Sequence, residues 1–294
     1  MAIIDPLFLA QLAANGIMVG AGYALAAVGL TLMFGILEKV NFAHGELYML
    51  AAFLLYFILR QTGLPYLAGV VILLPAMALA GWVLARGVLI PTLDRSFESA
   101  ILATLALGVI LQNAVRLLFG ASPLRIASPY DGMTLDLFGV LLFGQRLLVM
   151  LVAAMTLGGL ALLLRRTRIG AAMRAAAQSK EACLMVGIDV RRVTIWTCCL
   201  GTMLCGVAGA AIGPLFDLYP SMGTDVVFKS FAVVIIGGMG NLPGAAVAGL
   251  ALGLAESFAG GLGGGAMRDG ISFVAMIAIL LLRPNGLFGR AVRI

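Results

Sequence analysis

Long apolar runs separated by short polar segments dominate the sequence. Apolar runs of 18 or more residues are typical of membrane helices, and five are this long: Leu7 to about Ile36, Tyr66–Ile90, Ser99–Phe119, Leu147–Leu164 and Val193 to about Phe216. Four shorter apolar pieces complete the pattern: Gly45–Leu59, Val226–Gly237, Pro243–Phe258 and Ile271–Leu282. The pattern predicts an all-α membrane protein, a polytopic bundle of eight or nine spans that forms one domain over residues 1–294.

The composition excludes a soluble protein. Hydrophobic residues make up 62% of the chain, charged residues 11%, and the mean hydropathy is +1.11. A soluble domain carries about 25% charged residues, so this chain has too few to cover a water-exposed surface. The net charge of +6 does not indicate nucleic-acid binding, because the basic residues cluster at the ends of apolar runs.

The distribution of basic residues predicts the orientation in the membrane. The segment 165–192 carries seven of the nineteen basic residues, which predicts a cytoplasmic loop. Arg283, Arg290 and Arg293 place the C-terminus on the same side. Counting back through five spans puts the N-terminus outside, and opposite ends require an odd number of crossings, which favours nine. Because no basic residue precedes the first apolar run, that run is expected to be a retained span.

Two segments break the helical pattern inside the apolar chain. Polar residues crowd between Leu37 and Gly45, and a glycine-rich sequence, GGMGNLPG, occupies 237–244. Irregular backbone at membrane depth is tolerated only where protein or a water-filled path covers it, and interrupted segments in two halves of a transporter indicate its pathway. Each break has an Asn before a small-residue turn, which suggests an internal repeat. The alternative is that glycine-rich turns simply resemble each other.

The cytoplasmic segment contains an alanine-rich stretch, Gly170–Gly187, that predicts one amphipathic helix. Arg174, Gln178 and Glu181 line one face, and a second face consists of small residues, namely Ala172, Ala176, Ser179 and Cys183. A helix lying on the lipid surface is an alternative, but the bulky apolar anchors of such helices are missing. Docking to a cytoplasmic protein is the favoured interpretation.

Four sequence patches together resemble one family. They are NFAHGE at 41–46, the loop from Arg168 to Ile188, IGGMGNLPGA at 236–245 and RPNGLFG at 283–289. In this order they resemble permease subunits of branched-chain amino-acid ABC importers, and the first type of permease in that family is the closer match.

The resemblance implies a larger assembly in the bacterial inner membrane. A second homologous permease would complete the pore, two cytoplasmic ATPases would drive it, and an extracytoplasmic binding protein would deliver the solute. The chain has no phosphate-binding Gly-Lys-Ser/Thr loop, so it is expected to be non-catalytic and to bind no cofactor, while its partners use ATP and Mg. Related systems carry leucine, isoleucine and valine, and neighbouring branches carry other amino acids, urea or short amides.

The candidate site residues form two groups. The expected pathway residues are Asn41, His44, Glu46, Gly238, Gly240 and Asn241. The expected ATPase-coupling residues are Gly170, Arg174, Ala175, Ala176, Gln178, Glu181 and Gly187. His44 is the sole histidine, so it is either a proton relay or a group that hydrogen-bonds the broken backbone. Lys229 and Glu256 are costly in lipid and should face protein or water.

Two other classes of protein were weighed. A secondary transporter driven by an ion gradient would be expected to hold more charged residues within its spans and would need no docking helix. An intramembrane enzyme would need a catalytic pair or a metal cluster, and the single histidine and scattered carboxylates supply neither.

Overall fold

A computed structural model describes residues 6–93, 95–130 and 132–289 of the chain. The helices are α1 Pro6–Leu37, α2 His44–Thr62, α3 Tyr66–Thr92, α4 Phe97–Phe119, α5 Gly144–Arg166, α6 Arg168–Ala176, α7 Lys180–Met185, α8 Val190–Ile212, α9 Met222–Gly237, α10 Leu242–Gly263 and α11 Gly265–Leu282. Arg290 and Arg293 of the predicted basic tail, and Asp131 of the predicted external loop, lie outside the described residues.

Seven helices in the described part of the chain are long and apolar enough to cross a membrane: α1, α3, α4, α5, α8, α10 and α11. The all-α, polytopic fold predicted from the apolar runs is therefore confirmed. Helices α2 and α9 do not belong to this set. Helix α9 has only 16 residues, which correspond to a length of about 24 Å, and α2 carries Glu46 and Arg60 near its ends.

The two ends of the bundle differ in charge. The end that carries the basic segment 165–192, here called the basic end, also holds the last turn of α1, because Lys180 Nζ donates to the Leu37 carbonyl oxygen at 3.0 Å. The start of α4 lies there too, since Lys39 Nζ donates to the Arg95 carbonyl oxygen at 2.9 Å. At the opposite end, Gln145 Nε2 of α5 donates to the Ala211 carbonyl oxygen of α8 at 2.7 Å.

Close packing of small residues holds α1 against α10. A Cβ atom built on Gly253 would lie 2.6 Å from the carbonyl oxygen of Gly16, and one built on Gly249 would lie 2.7 Å from the backbone nitrogen of Ala24. Glycine at such positions lets two helix backbones approach closely, which is how helices associate where lipid removes the hydrophobic driving force. Helix α1 is thereby buried along most of its length.

The segment between α4 and α5 is more ordered than the sequence indicated. Turn residues predict an irregular loop over Gly120–Gly144, but the chain there forms a β-hairpin with strands β1 Thr134–Leu137 and β2 Val140–Phe143. The turn uses Gly139 at a φ of 87°, and the backbone N–H of Gly139 donates a hydrogen bond to Asp136 Oδ1 at 2.7 Å. Gly-containing tight turns of this kind favour strand pairing over an open loop.

The predicted single helix over Gly170–Gly187 is wrong, because α6 and α7 are separate helices. The first ends at Ala176, and Ser179 caps the second, since its Oγ accepts from the Ala182 N–H at 3.1 Å. A serine able to cap a helix favours a new start over continuation. Ala176 and Cys183 are buried, 3% and 2% exposed, so the small-residue face packs on this chain's own helices.

Candidate functional site

Helix α2 begins inside the bundle rather than at its end. Glu38 has a φ of 56°, a left-handed conformation that commonly ends a helix, and residues 38–43 then return toward the middle of α1. His44, the first residue of α2, places Nε2 2.9 Å from the Ala26 carbonyl oxygen. Ala26 precedes the end of α1 by eleven residues, so α2 starts about 16 Å from the basic end.

Helix α9 begins beside the start of α2. Residues 213–221 contain Pro214 and Pro220, which remove backbone donors and disfavour α-helix in the residues before them, and regular helix resumes at Met222. A Cβ atom built on Gly223 would lie 2.6 Å from the Gly45 carbonyl oxygen. The first turns of α2 and α9 are therefore in direct contact.

The two helices run in opposite directions from this contact, here called the half-helix junction. Helix α9 ends at the basic end, where the Ile236 carbonyl oxygen accepts from the Leu287 N–H at 2.8 Å. Helix α2 ends at the opposite end with Thr62. Neither helix has a side-chain cap at its start. The positive ends of two helix dipoles thus meet inside the bundle.

A buried carboxylate occupies the half-helix junction. Glu46 is 8% exposed, and its Oε1 accepts a hydrogen bond from Thr224 Oγ1 at 3.3 Å. Its Oε2 atom is buried without a hydrogen-bond partner. Helix α4 also packs on the Glu46 side chain, because a Cβ atom built on Gly108 would lie 3.4 Å from Glu46 Cγ.

The surface over the junction is polar, unlike its surroundings. Thr224 and Asp225 are exposed, and Asp225 Oδ2 accepts from Tyr219 Oη at 2.7 Å. On α4, the residues that follow Gly108 at the same depth, Val109 and Ile110, are 58% and 63% exposed and apolar. Exposed polar groups at this depth need water or a polar partner. The junction is therefore expected to face water or a polar partner, whereas the apolar face of α4 is suited to lipid.

Asn41 and His44 hold the start of α2 in place. Asn41 Oδ1 accepts from the Ala43 N–H at 3.1 Å, a local turn typical of asparagine. His44 is 1% exposed and bridges two helices, with the Ala26 carbonyl of α1 on one side and Cys205 Sγ of α8 3.3 Å from its Nδ1. Thr104 of α4 adds a hydrogen bond from the Phe42 N–H to its Oγ1 at 3.2 Å.

The structure does not bring Gly238, Gly240 and Asn241 to the junction. They lie at the basic end in the turn between α9 and α10, where Asn241 Nδ2 donates to the Phe288 carbonyl oxygen at 2.7 Å. Gly240 packs on Gly35 near the end of α1. The break at 237–244 packs on the end of α1 through Gly240 and Gly35, whereas the start of α2 meets the start of α9 through Gly45 and Gly223.

Sequence reasoning missed Gly223, Thr224, Asp225 and Thr104. A signal for three of them was present: the polar pair Thr224-Asp225 directly precedes a short apolar piece and follows Pro220. A short, Pro-interrupted hydrophobic segment is the pattern expected of a discontinuous helix. Thr104 had no such signal, since its role comes from the tertiary contact of α4 with residue 42.

Lys229 and Glu256 form a buried charge cluster, as the cost of placing them in lipid predicts. Glu256 of α10 is fully buried and accepts hydrogen bonds from Tyr23 of α1, Lys229 of α9 and Ser272 of α11. Lys229 Nζ also lies 3.2 Å from Ser272 Oγ. The cluster ties the short helix α9 to three long helices.

Replacing Lys229 with methionine is expected to destabilise the protein strongly. The Glu256 carboxylate would remain buried without its main cation, and breaking a buried ion pair from one side costs about 3–5 kcal/mol. Thermal unfolding in detergent should show a large fall in Tm for K229M and a partial recovery in K229M/E256Q, where no buried carboxylate is left unpaired and only the part-exposed Arg268, 3.8 Å from Glu256, loses its partner. An unchanged Tm in K229M would contradict the structural role of this ion pair.

Comparison with known proteins agrees with this architecture. Residues 12–280 match the family model described as "Branched-chain amino acid transport system / permease component". The chain belongs to this family. It is 29% identical to the high-affinity branched-chain amino acid transport system permease protein LivH of Escherichia coli K12, with 97% of this chain and 96% of LivH covered.

Two further relatives extend the same similarity. The permease protein BraD of Pseudomonas aeruginosa is 30% identical, with 96% of each chain covered. A probable branched-chain amino acid transport permease protein LivH of Methanocaldococcus jannaschii is 30% identical, with 90% of this chain and 88% of that protein covered. The family resemblance found in the sequence patches is confirmed along nearly the whole chain.

Proposed function

We propose that this permease is the membrane-spanning subunit of an ATP-driven importer for branched-chain amino acids. The observation that carries the proposal is the family match over residues 12–280, together with relatives named for this transport. The half-helix junction supports it, because discontinuous helices that meet near mid-membrane are a recurring design of solute sites in transporters.

We assign the chain nine crossings of the bacterial inner membrane. Seven are the long helices, and α2 with residues 38–43 and α9 with residues 213–221 supply the other two. With the basic end in the cytoplasm, the chain enters at the outer side before α1 and leaves α11 in the cytoplasm. Helix starts α2 and α9 then lie between the two faces of the membrane, where a solute has to pass.

The polar surface over the junction is the face that we assign to the solute pathway. Thr224, Asp225 and Tyr219 are exposed there, and a second, homologous permease facing them would enclose a water-accessible route. Asn41 and His44 act one layer behind this surface, by fixing where α2 starts. This assigns His44 the structural role rather than the proton relay, since both ring nitrogens have neighbours inside this chain.

The ATPase-coupling surface is the outer side of α6 and α7. Four of the expected coupling residues are exposed there: Arg174, Gln178, Glu181 and Gly187. The other three, Gly170, Ala175 and Ala176, are buried or half-buried, so they pack the loop onto the chain's own helices. Beside the exposed polar group lie three apolar side chains, Leu184, Met185 and Val186, which are 66%, 83% and 73% exposed. The sequence predicted no bulky apolar anchors in this stretch, and these three side chains correct that expectation. Exposed apolar groups of this size mark an interaction surface, which we assign to a protein partner because the exposed polar residues lie beside them.

The contacts of α7 support a route by which a partner's movement would reach the junction. Lys180 binds the Leu37 carbonyl oxygen and the Glu38 carboxylate, at 3.0 and 2.9 Å, where the break between α1 and α2 begins. Displacement of α7 by a cytoplasmic ATPase would therefore pull on residues 38–43, and through them on α2. Such a shift between two packed arrangements is a bistable rigid-body change. ATP and Mg would be used by the ATPases, and this chain would be non-catalytic.

Reconstitution tests the function directly. The chain, a second permease and two ATPases should import radiolabelled leucine into proteoliposomes when loaded binding protein and ATP are both supplied. Omission of the ATPases should abolish uptake even with proton or sodium gradients imposed. Uptake that persists on a gradient alone would establish an ion-driven transporter instead, and uptake of urea or a short amide in place of leucine would move the chain to a neighbouring branch of the family.

A further inference from the structure

Glu46 differs from Glu256, the other buried carboxylate of the described residues. The Glu256 carboxylate has several donors, including a lysine, whereas Glu46 has one neutral donor and one oxygen atom without a partner. A buried carboxylate normally has hydrogen bonds or a cation, because removal from water is costly. The free oxygen therefore indicates a position that another group occupies in a different state of the protein.

The unpartnered oxygen points toward the start of α9. It lies next to Gly223, since a Cβ atom there would be 2.5 Å from Glu46 Oε2. Thr224 and Asp225, the next two residues of α9, are exposed on the polar surface described above. A small displacement of α9 away from α2 would thus open the Glu46 carboxylate to that surface.

We propose that Glu46 binds the ammonium group of the transported amino acid, at a site formed by the first turns of α2 and α9. This inference rests on the proposed function and adds the chemical group by which the permease holds its solute. An ammonium group has three N–H donors. Glu46 Oε2 is the acceptor without a partner at the junction, and Thr224 and Asp225 bring a hydroxyl and a carboxylate to the exposed surface of the adjoining turn of α9.

The same junction complements the other charge of a zwitterion. The starts of α2 and α9 have no side-chain caps, and the N-terminal end of a helix attracts carboxylates through its dipole, although the N–H groups of His44, Met222 and Thr224 already donate to backbone carbonyls. A simple amine would pair with Glu46 and so neutralise the one carboxylate at these helix starts, without bringing a second anion to them. A simple carboxylate would be repelled by Glu46 and Asp225. An amino acid satisfies both.

The test is a binding measurement on the assembled transporter. The chain with its second permease and ATPases, in lipid nanodiscs without binding protein, is incubated with radiolabelled leucine. Two competitors each lack one charge: isopentylamine retains only the ammonium group, and 4-methylpentanoate retains only the carboxylate. Empty nanodiscs correct for partitioning of the competitors into lipid.

Glu46→Gln keeps the size of the side chain and removes its charge. It is expected to weaken leucine binding at least about tenfold and to abolish competition by isopentylamine, because a hydrogen bond between two charged groups is lost. Competition by 4-methylpentanoate should be unchanged or improved. Glu46→Asp, which keeps the charge, should retain competition by the amine. Glu98→Gln is the matched control, since Glu98 is exposed in the first turn of α4.

The outcomes separate this inference from the proposed function. If wild type binds leucine, and E46Q binds leucine and isopentylamine as tightly as wild type does, the ammonium site is rejected while the transport function stands. If wild type neither binds nor imports any amino acid, the proposed function fails first. Should E46Q not assemble, E46D decides: complete loss of competition by isopentylamine despite normal assembly and leucine binding would overturn the proposal.

Discussion

Replacing Gly45 with alanine is expected to abolish leucine uptake. A Cβ atom at this position would overlap the Gly223 carbonyl oxygen and lie 2.8 Å from Val227 Cβ. Neither neighbour can rotate away, because one is backbone and the other is the branch point of a stiff side chain. The starts of α2 and α9 would have to separate, and we expect uptake in proteoliposomes to fall at least about a hundredfold, equivalent to roughly 2.7 kcal/mol.

The matched control is Gly87→Ala in α3. No atom beyond its own helix lies within 4 Å of a Cβ atom built there, so this change should leave uptake and assembly near wild type. Comparable losses in both variants would mean that the effect of G45A is a general cost of side chains at glycine positions. Normal uptake in G45A would show that α2 and α9 do not meet as closely as described.

Replacing Met185 with glutamate is expected to uncouple ATP hydrolysis from transport. Met185 is 83% exposed at the tip of α7, and a charge placed in an apolar interface is costly to desolvate. Because the side chain contacts little of its own chain, the fold should be unaffected. We expect stimulation of the ATPases by loaded binding protein to be lost and uptake to fall at least tenfold, measured in the same proteoliposomes.

Met133→Glu is the control for this substitution. Met133 is also an exposed methionine, 60% exposed, but it lies at the opposite end of the bundle beside the β-hairpin. The control should leave ATPase stimulation unchanged. A substitution at Ala176 would not test docking, because Ala176 is buried against its own bundle. Full coupling in M185E would exclude α7 as the contact.

The long helices were predictable because lipid imposes a simple rule. A run of about 20 apolar residues has to be a helix when no water is available to its backbone, and α1, α3, α4 and α5 begin and end within a few residues of the apolar runs. Helix α9 was harder to place, since its 16 residues are too few to span. Length alone does not tell a short span from a helix that starts inside the bundle.

The site was only partly predictable, because it depends on contacts between distant segments. The polar cluster at 41–46 indicated a break beside α2, and the second predicted break was at 237–244, where glycines and an asparagine resemble the first. The true partner, Gly223-Thr224-Asp225, shares no such sequence likeness. The two segments meet because Gly45 and Gly223 both lack side chains. The fit between the two helix surfaces is a property of the folded chain, and neither segment shows it by itself. The split of the helix predicted over Gly170–Gly187 depended similarly on one serine that caps α7.

Accessibility of Thr224 to water tests the central claim most directly. In an assembled transporter whose four cysteines are replaced by alanine and which retains uptake, Thr224→Cys should react with a charged, membrane-impermeant thiosulfonate reagent, and leucine should slow the reaction. Ile110→Cys should not react, because Ile110 is 63% exposed on the apolar face of α4 at the depth of the junction and a thiol in lipid does not form the thiolate that the reagent needs. Reactivity at Thr224→Cys with protection by leucine is the predicted result. A cysteine at position 224 that stays as inert as the one at position 110 would contradict a water-filled solute route at the half-helix junction.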